Sequence, residues 1–557
     1  MNQKYIFISG GVISGIGKGI TTASIGYLLQ QAGYRVAPIK FEGYLNIDAG
    51  TINPIEHGDP FLCEDGTETD MDIGTYEKFL GRSMNKDNFV TMGQIYQEII
   101  TKERRFEYKG EDVEAVHISN EIIERIKKVG KTQNAQIVLI ELGGTAGEYW
   151  NVFFYEASRI LTLQNPHDVI HIHVSYVPTP RHLGEPKTKP TQLSVRTLNS
   201  MGVQPDFIVT RSESFIDQRR RDRFALFCNV EGRDIISNPD LKSVYEVPLI
   251  FKEQDFHTKI FEKLGIPDIL PDTSNLQSLV EKIKKRKKHH INISIVGKYF
   301  GTGSFHLKDS YAALFDAIDH ASWQKDSDVT TKWVDAETIE KVGPELIGSP
   351  DGIIVPIGWG ERGAEGMIET ANYARIRKIP FLGLCYGMQL AVVAYARYVL
   401  GWKNANTTEN NPKTSYPVID LIANQEKILK KRAYGGSMRL GGWEAMIKKG
   451  TLAYEIYEKY GGFIRDKAGL TSERHRHRWE FNNKYASKFE KNGLVISGRS
   501  TAEQLVEVIE LEKADHPFYL GTQGHPEYKS SPFHPHPIFL AYIETCILQA
   551  DLVKKQQ

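Results

Sequence analysis

One stretch near the start of the chain limits the fold more than any other. The apolar run Tyr5-Ile6-Phe7-Ile8 leads directly into GGVISGIGKGITT, Gly10 to Thr22. Apolar positions at helical spacing follow (Ala23, Tyr27, Leu28), then Gly33 as a stop, then a second apolar run, YRVAPIKF, over 34–41. Strand, glycine loop, helix and strand make a βαβ unit, which implies a parallel sheet. The loop is of the kind that cradles phosphate, yet its spacing is unusual. Five residues separate Gly11 from Gly17-Lys18 where four are common, and Gly19 stands where Ser or Thr normally follows the lysine.

Strand-like runs recur at QIVLIEL (136–142), DVIHIHVSYV (168–177) and DFIVTR (206–211), and again at INISIVGKY (291–299), GIIVPIG (352–358), PFLGLC (380–385) and FYLGTQ (518–523). Alternation with helical patterns predicts α/β domains, and 557 residues allow two to four of them. The basic run EKIKKRKKHH (281–290) reads as a solvated helix face or linker and places a domain joint near 275–290. Lys plus Arg and Asp plus Glu both number 69, so net charge gives no reason to expect nucleic acid or a membrane surface as partner. No apolar run approaches the roughly 20 residues of a bilayer span. Four scattered cysteines without a CxxC pair (Cys63, Cys228, Cys385, Cys546) argue against a disulfide framework or zinc site. With no leader-like segment before the first strand, a cytoplasmic protein is expected.

The second half carries the most specific chemistry. An apolar strand ends at Cys385, Gly383 and Gly387 flank it, and a helical stretch begins at once. This is the frame of a nucleophile elbow, with the thiolate favoured by the helix dipole. A lone cysteine is more often a small buried hydrophobe, but the paired glycines tip the reading to nucleophile. TQGHPEY supplies His525 as base and Glu527 as its orienting group, 140 residues after the cysteine. The glycine-rich PIGWGERG (356–363) offers backbone N–H groups to an oxyanion. The alternating Arg474, His475, Arg476, His477 and Arg478 fit a binding role or a charged edge strand equally. His475/His477 and His534/His536 are poor metal ligands, since no acidic or thiol partners cluster with them in the sequence.

In the first half, CEDGTETDMDIGTYEKF contains Asp70 and Asp72, and QIVLIEL delivers Glu141 into ELGGTAGE. Alone these acids read as solvated loop; beside Lys18 and Lys40 they read as a place for Mg²⁺ next to a transferring phosphate.

The second half is similar to class I glutamine amidotransferases, which hydrolyse glutamine through a cysteine thioester and release ammonia. That resemblance assigns Cys385, His525 and Glu527 to catalysis, and Gly358, Leu384, Gln389, Glu409 and Arg476 to glutamine. Nearly end to end the chain resembles the CTP synthase family, on the landmarks GGVISGIGKG, ELGGTAGE, KTKPTQ, ALFCNV, VGKY, GLCYGMQ, GGSMRLG, ERHRHRWE and HPEY. The resemblance implies an α/β protein of two doubly wound parallel-sheet domains: a P-loop NTPase-like (dethiobiotin synthetase-like) synthetase domain over 1–274, a basic linker over 275–290 and a class I glutaminase domain over 291–557. It implies ATP-dependent amination of UTP to CTP, through UTP phosphorylated on the uracil 4-oxygen, with ammonia moving along an internal passage. Ser14, Gly15, Ile16, Gly17, Lys18, Gly19 and Asp72 would bind ATP, with Lys18 and Lys40 stabilising phosphate charge and Asp72 and Glu141 holding Mg²⁺. Ser14, Glu148, Tyr149, Trp150, Arg223 and the run Lys187, Thr188, Lys189, Pro190, Thr191 and Gln192 would hold UTP or CTP, and His57 would serve the passage. GTP is implied as activator, CTP as feedback inhibitor, and a homotetramer as the assembly, with filament formation left open.

Three stretches depart from the family pattern: Glu42-Gly43 where Asp-Pro is usual, Glu148-Tyr149-Trp150 where Asp-Ile-Glu is usual, and Arg223 where Lys is common. Two other readings are another P-loop ligase fused to a glutaminase and a homologue that serves as a filament or regulatory protein without turnover. KTKPTQ argues against the first, and the intact catalytic residues against the second.

Overall fold

In the computed structural model, which describes residues 2–53, 58–302, 305–306, 308–423, 425–431, 434–464 and 467–556, the opening βαβ unit is the strand Lys4–Gly11, the helix Lys18–Gln31 and the strand Val36–Glu42. The chain divides into two units, Met1–Asp48 with Asp72–Lys284, and Ala49–Met71 with Lys285–Gln557.

The first unit is built on a seven-stranded sheet in the order Phe89–Thr91, Val36–Glu42, Ile137–Leu142, Lys4–Gly11, Val169–Tyr176, Phe207–Ser212, Ile235–Pro239. Every pairing is parallel. Helices cover both faces, which is why the central strands read as nearly unbroken apolar runs. Phe7, Phe41, Ile140 and Phe154 share one core cluster, and Val177, Ile208 and Phe224 another. The register sets Lys40 opposite Glu141 near the carboxyl ends of their strands, the edge where open α/β sheets bind ligands.

The second unit is built on a nine-stranded sheet. Five run parallel: Ser327–Asp335, His289–Gly297, Gly352–Val355, Phe381–Leu384 and Tyr519–Thr522. Four more, Val506–Leu511, Leu494–Ser500, Arg439–Ile447 and Leu470–His477, extend the sheet antiparallel. Strand alternation sends Ile353, Val355 and Phe381 into one core and Ile354, Leu382 and Leu384 into the other.

Residues 49–71, which sequence reading gave to the first domain, group with this second unit. They include a short hairpin, Phe61–Leu62 with Glu68–Thr69. Their presence explains the strand Leu470–His477. It is last in the sheet order, yet Arg474 to Arg478 are each no more than 2% exposed, so the run is not a solvated charged edge. Arg474 donates to Leu62 O at 2.8 Å and to Glu64 at 3.1 Å. Arg476 donates to Glu68 at 2.7 Å, Gly50 O at 3.1 Å and Asp59 at 3.5 Å. Buried guanidinium groups need such partners, and this segment supplies them. Among the described residues, no helix is long and apolar enough to cross a membrane.

Candidate functional site

The phosphate loop of the first unit turns through positive φ at Val12, Gly15 and Gly17, and Gly17 caps the helix that starts at Lys18. Helix N–H groups without intrahelical partners therefore open onto the loop, as anion binding requires. Ser14 is exposed and Ile16 buried. Lys18 is buried and donates to Gly144 O at 2.7 Å. Gly19 is explained by its neighbour: a Cβ there would lie 1.9 Å from Asp72 Oδ1. The space a Ser or Thr would use after the lysine is filled by a carboxylate.

Around Lys40 gather Asp72 in direct ion-pair contact, Glu42 at 3.2 Å and Glu141 at 3.6 Å. Glu141 is fully buried and accepts from the Tyr76 hydroxyl, while its Oε1 has no hydrogen-bond partner. Burial pushes its carboxyl up to about 7, against the pull of Lys40. Three carboxylates around one ammonium leave net negative charge and hard oxygen donors, which suit Mg²⁺. Among the described residues no group of three or more His, Cys, Asp or Glu is arranged for a metal on its own.

Sequence reasoning missed a cleft of about 90 Å³ beside the loop, lined by Gly17, Ile20, Arg211, Asn238, Pro239 and Leu241 among others. Arg211 is held there by Asn238 O at 2.9 Å, Pro239 O at 2.8 Å and Asp240 at 2.9 Å. The only signal was an arginine at the end of DFIVTR.

KTKPTQ begins the helix Lys189–Ser200, with Pro190 in its first turn, where a missing N–H costs nothing. Ser175 donates to the buried Thr191 at 3.0 Å, and His173 bridges Ser194 at 2.8 Å and Ser9 at 2.9 Å, which fixes the helix on the central strands. Gln192 donates to Thr188 at 3.0 Å, Lys187 pairs with Glu185, and Lys189 and Arg223 are exposed. Arg220, not singled out from sequence, donates to Pro186 O at 3.0 Å and ties this loop down.

Glu148 folds back onto Thr145, accepting from its N–H and its hydroxyl at 2.7 Å each. Tyr149 and Trp150 are 91% and 58% exposed. A Cβ at position 43 would lie 2.3 Å from Asn151 Oδ1 and 3.2 Å from Trp150 Cβ, so the departures at 42–43 and 148–150 pack against each other. His57 lies outside the described residues.

In the second unit, Cys385 sits at φ 50°, ψ −101° between the strand Phe381–Leu384 and the helix Tyr386–Tyr398. That backbone is strained for a non-glycine residue. It is held by Cys385 N–H donating to Thr522 O at 2.7 Å and by tight packing of the elbow. A Cβ on Gly387 would lie 1.9 Å from Val355 O. His525, fully buried, shares a hydrogen bond of 2.7 Å between Nδ1 and Glu527 Oε1 and stacks on Tyr528. Burial pulls the imidazole pKa down, but Glu527 and the Cys385 sulfur outweigh it and raise the pKa to about 10. Gln523 donates to Cys385 Sγ at 3.4 Å.

The loop over 356–363 is braced from three sides. Gly360 N–H donates to Glu409 at 2.8 Å, Lys298 Nζ donates to Trp359 O at 2.5 Å and Gly360 O at 2.7 Å, and Tyr386 donates to Gly360 O at 2.7 Å. Burial pushes the Glu409 carboxyl up to about 7 and the Lys298 ammonium down to about 8. Lys298 was visible only as part of VGKY. Gly358 and Leu384 are buried beside the elbow. Gln389 donates to Trp479 O at 2.8 Å. Arg476 places its backbone oxygen 3.8 Å from Cys385 Sγ while its side chain serves Glu68, Asp59 and Gly50. His475 and His477 bond to Arg439 at 3.1 and 3.2 Å, and His536 to Glu473 at 2.9 Å.

A parallel-sheet unit with a phosphate loop, joined to a unit with a Cys–His–Glu elbow, defines a ligase fused to a glutamine amidotransferase. Residues 4–266 match the family described as CTP synthase N-terminus, and residues 306–545 match glutamine amidotransferase class-I. A CTP synthase of Caldanaerobacter subterraneus subsp. tengcongensis is 45% identical over 98% of this chain and 98% of its own length. Those of Pyrococcus abyssi and Sulfolobus acidocaldarius are 46% and 45% identical, over 96% and 97% of this chain and 96% and 99% of their own. The chain belongs to the CTP synthase family.

Proposed function

We propose that this chain aminates UTP to CTP, consuming ATP and taking nitrogen from glutamine. The observation that carries the glutaminase half is Cys385 at a strained elbow with the His525–Glu527 pair buried behind it. The Cys385 thiolate attacks the carboxamide carbon of glutamine, forming a C–S bond while the carbonyl electrons move to oxygen, facing the N–H groups of 356–363. Collapse breaks the C–N bond, His525 gives its proton to the departing ammonia, and a thioester remains. Water, deprotonated by His525, then cleaves the thioester to glutamate. Gly358, Leu384, Gln389, Glu409 and Arg476 line the glutamine seat.

In the synthetase half, the γ-phosphoryl group of ATP passes to the uracil 4-oxygen, ammonia attacks C4, and phosphate leaves. Lys18 and Lys40 neutralise charge on the phosphates, and Asp72 and Glu141 would hold Mg²⁺. That ion would supply positive charge beside the phosphates, on top of what Lys18 and Lys40 provide. The cleft at Arg211 seats the adenine ring, since it adjoins the loop and offers a planar cation. The KTKPTQ run, Ser14, Arg223 and Glu148-Tyr149-Trp150 hold the pyrimidine nucleotide, UTP as substrate or CTP as inhibitor. GTP activates the glutaminase, four copies assemble, and the cytoplasm is the working compartment. The test is purified protein with ATP, UTP, Mg²⁺ and either glutamine or ammonium chloride. CTP is expected from both, and none from either would overturn the proposal.

A further inference from the structure

Gln523 lies between two groups of the glutaminase site. Its Nε2 donates to Cys385 Sγ at 3.4 Å, and its Oε1 accepts from Gln389 Nε2 at 3.2 Å. Gln523 and Gln389 are both buried, at 1% and 3% exposure. The orientation of the amides follows from a chain that starts at a group with one possible role. Trp479 O can only accept, so the amide nitrogen of Gln389 must face it, at 2.8 Å. The second hydrogen of that nitrogen reaches Gln523 Oε1, which leaves the Gln523 nitrogen facing the sulfur. The backbone of Gln523 is fixed as well, its N–H donating to Glu507 O at 2.8 Å.

We propose that Gln523 is a catalytic residue of the glutaminase reaction: its side-chain N–H, turned to the sulfur by Gln389, stabilises the Cys385 thiolate before attack. The inference rests on Cys385 being the nucleophile. A thiolate in a dry site loses the water that would solvate it, and a fixed amide donor replaces part of that solvation. His525 supplies the opposing charge from one side, with Glu527 behind it. From the strand Leu470–His477, Arg476 turns only its carbonyl oxygen to the sulfur, and its charge is taken up by Asp59 and Glu68. On the helix that follows the cysteine, Tyr386 turns its hydroxyl to Gly360 O and Asn410, away from the sulfur. Gln523 is thus the one uncharged side chain that donates to the sulfur among the described residues.

The test is the pH dependence of alkylation of Cys385 by iodoacetamide in the full chain, followed by mass spectrometry of the Cys385 peptide. Gln523→Met keeps the side-chain length and removes the donor, and should raise the midpoint by about one pH unit, slowing alkylation about ten-fold near neutrality. Gln523→Glu, which turns an acceptor to the sulfur, should raise it further. Gln389→Met, which leaves Gln523 in place but frees its amide to rotate, should raise it less than Gln523→Met, and serves if the Gln523 variants fail to fold. Midpoints unchanged from the parent in folded variants would overturn the proposal, because a packing role lowers turnover without moving the titration. The nucleophile assignment is tested separately: Cys385→Ala that still hydrolysed glutamine would refute that assignment, whatever the midpoints.

Discussion

The two candidate sites achieve charge control by opposite means. In the second unit the proposed reacting groups are sealed: Cys385, His525 and Glu527 are 2%, 0% and 4% exposed, and the proposed nucleophile is held by a strained backbone. In the first unit Asp72, Glu42 and Glu141 gather around Lys40 beside a loop whose Ser14, Gly15 and neighbouring Tyr149 are exposed. A covalent step needs its atoms placed before substrate arrives, and fixed packing provides that. Phosphoryl transfer needs charge that substrate phosphates and a metal can reorganise, and a cluster of ion pairs beside an exposed loop provides that.

The largest effect should come from Lys40→Ala, which unties three carboxylates at once. CTP formation should fall by about 10³-fold or more with glutamine and with ammonium alike, measured by nucleotide chromatography. Retention of either reaction would show that Lys40 is not shared chemistry. Next, Gly387→Ala should lower glutamine hydrolysis by about 10²-fold, because the new methyl collides with Val355 O and shifts the elbow. Release of glutamate reads this directly. Gly19→Ser should be milder, roughly ten-fold in the ATP-dependent step from either nitrogen source, since the displaced Asp72 is a side chain that can move. A Ser variant as active as the parent would mean that Asp72 is not held in place by Gly19.

The smallest effect is on stability. The Glu409 carboxyl is raised in the fold to about 7, so the folded state binds a proton more readily than the unfolded chain. Its contribution is fully present below the unfolded carboxylate pKa and is lost as pH rises through 7. Glu409→Gln keeps an acceptor for Gly360 N–H and removes that titration. The variant should gain roughly 2 kcal/mol over the parent at pH 8 and little at pH 4, read by denaturant unfolding.

What sequence could reveal divides along the same line. The elbow and its base were legible because their chemistry is local: two glycines beside one cysteine, and His-Pro-Glu in a row. The anomaly at Gly19 was legible too, but not its cause, since Asp72 lies far along the chain. Lys298, Gln523 and Arg211 carry no local signature, because their roles come from side chains meeting across separate elements. The segment 49–71 was assigned to the first domain by position alone. Its partners are 408 residues away for Glu68 with Arg476 and 410 for Glu64 with Arg474, beyond any spacing rule. The mixed half of the second sheet was missed for a related reason: parallel and antiparallel strands look alike until their partners are known.

The most direct test of two separable sites is Cys385→Ala assayed for CTP with glutamine and, in parallel, with ammonium chloride. CTP from ammonium at near the parental rate, with none from glutamine, is the predicted result. Equal loss from both nitrogen sources in the folded variant, or CTP still formed from glutamine, would contradict it.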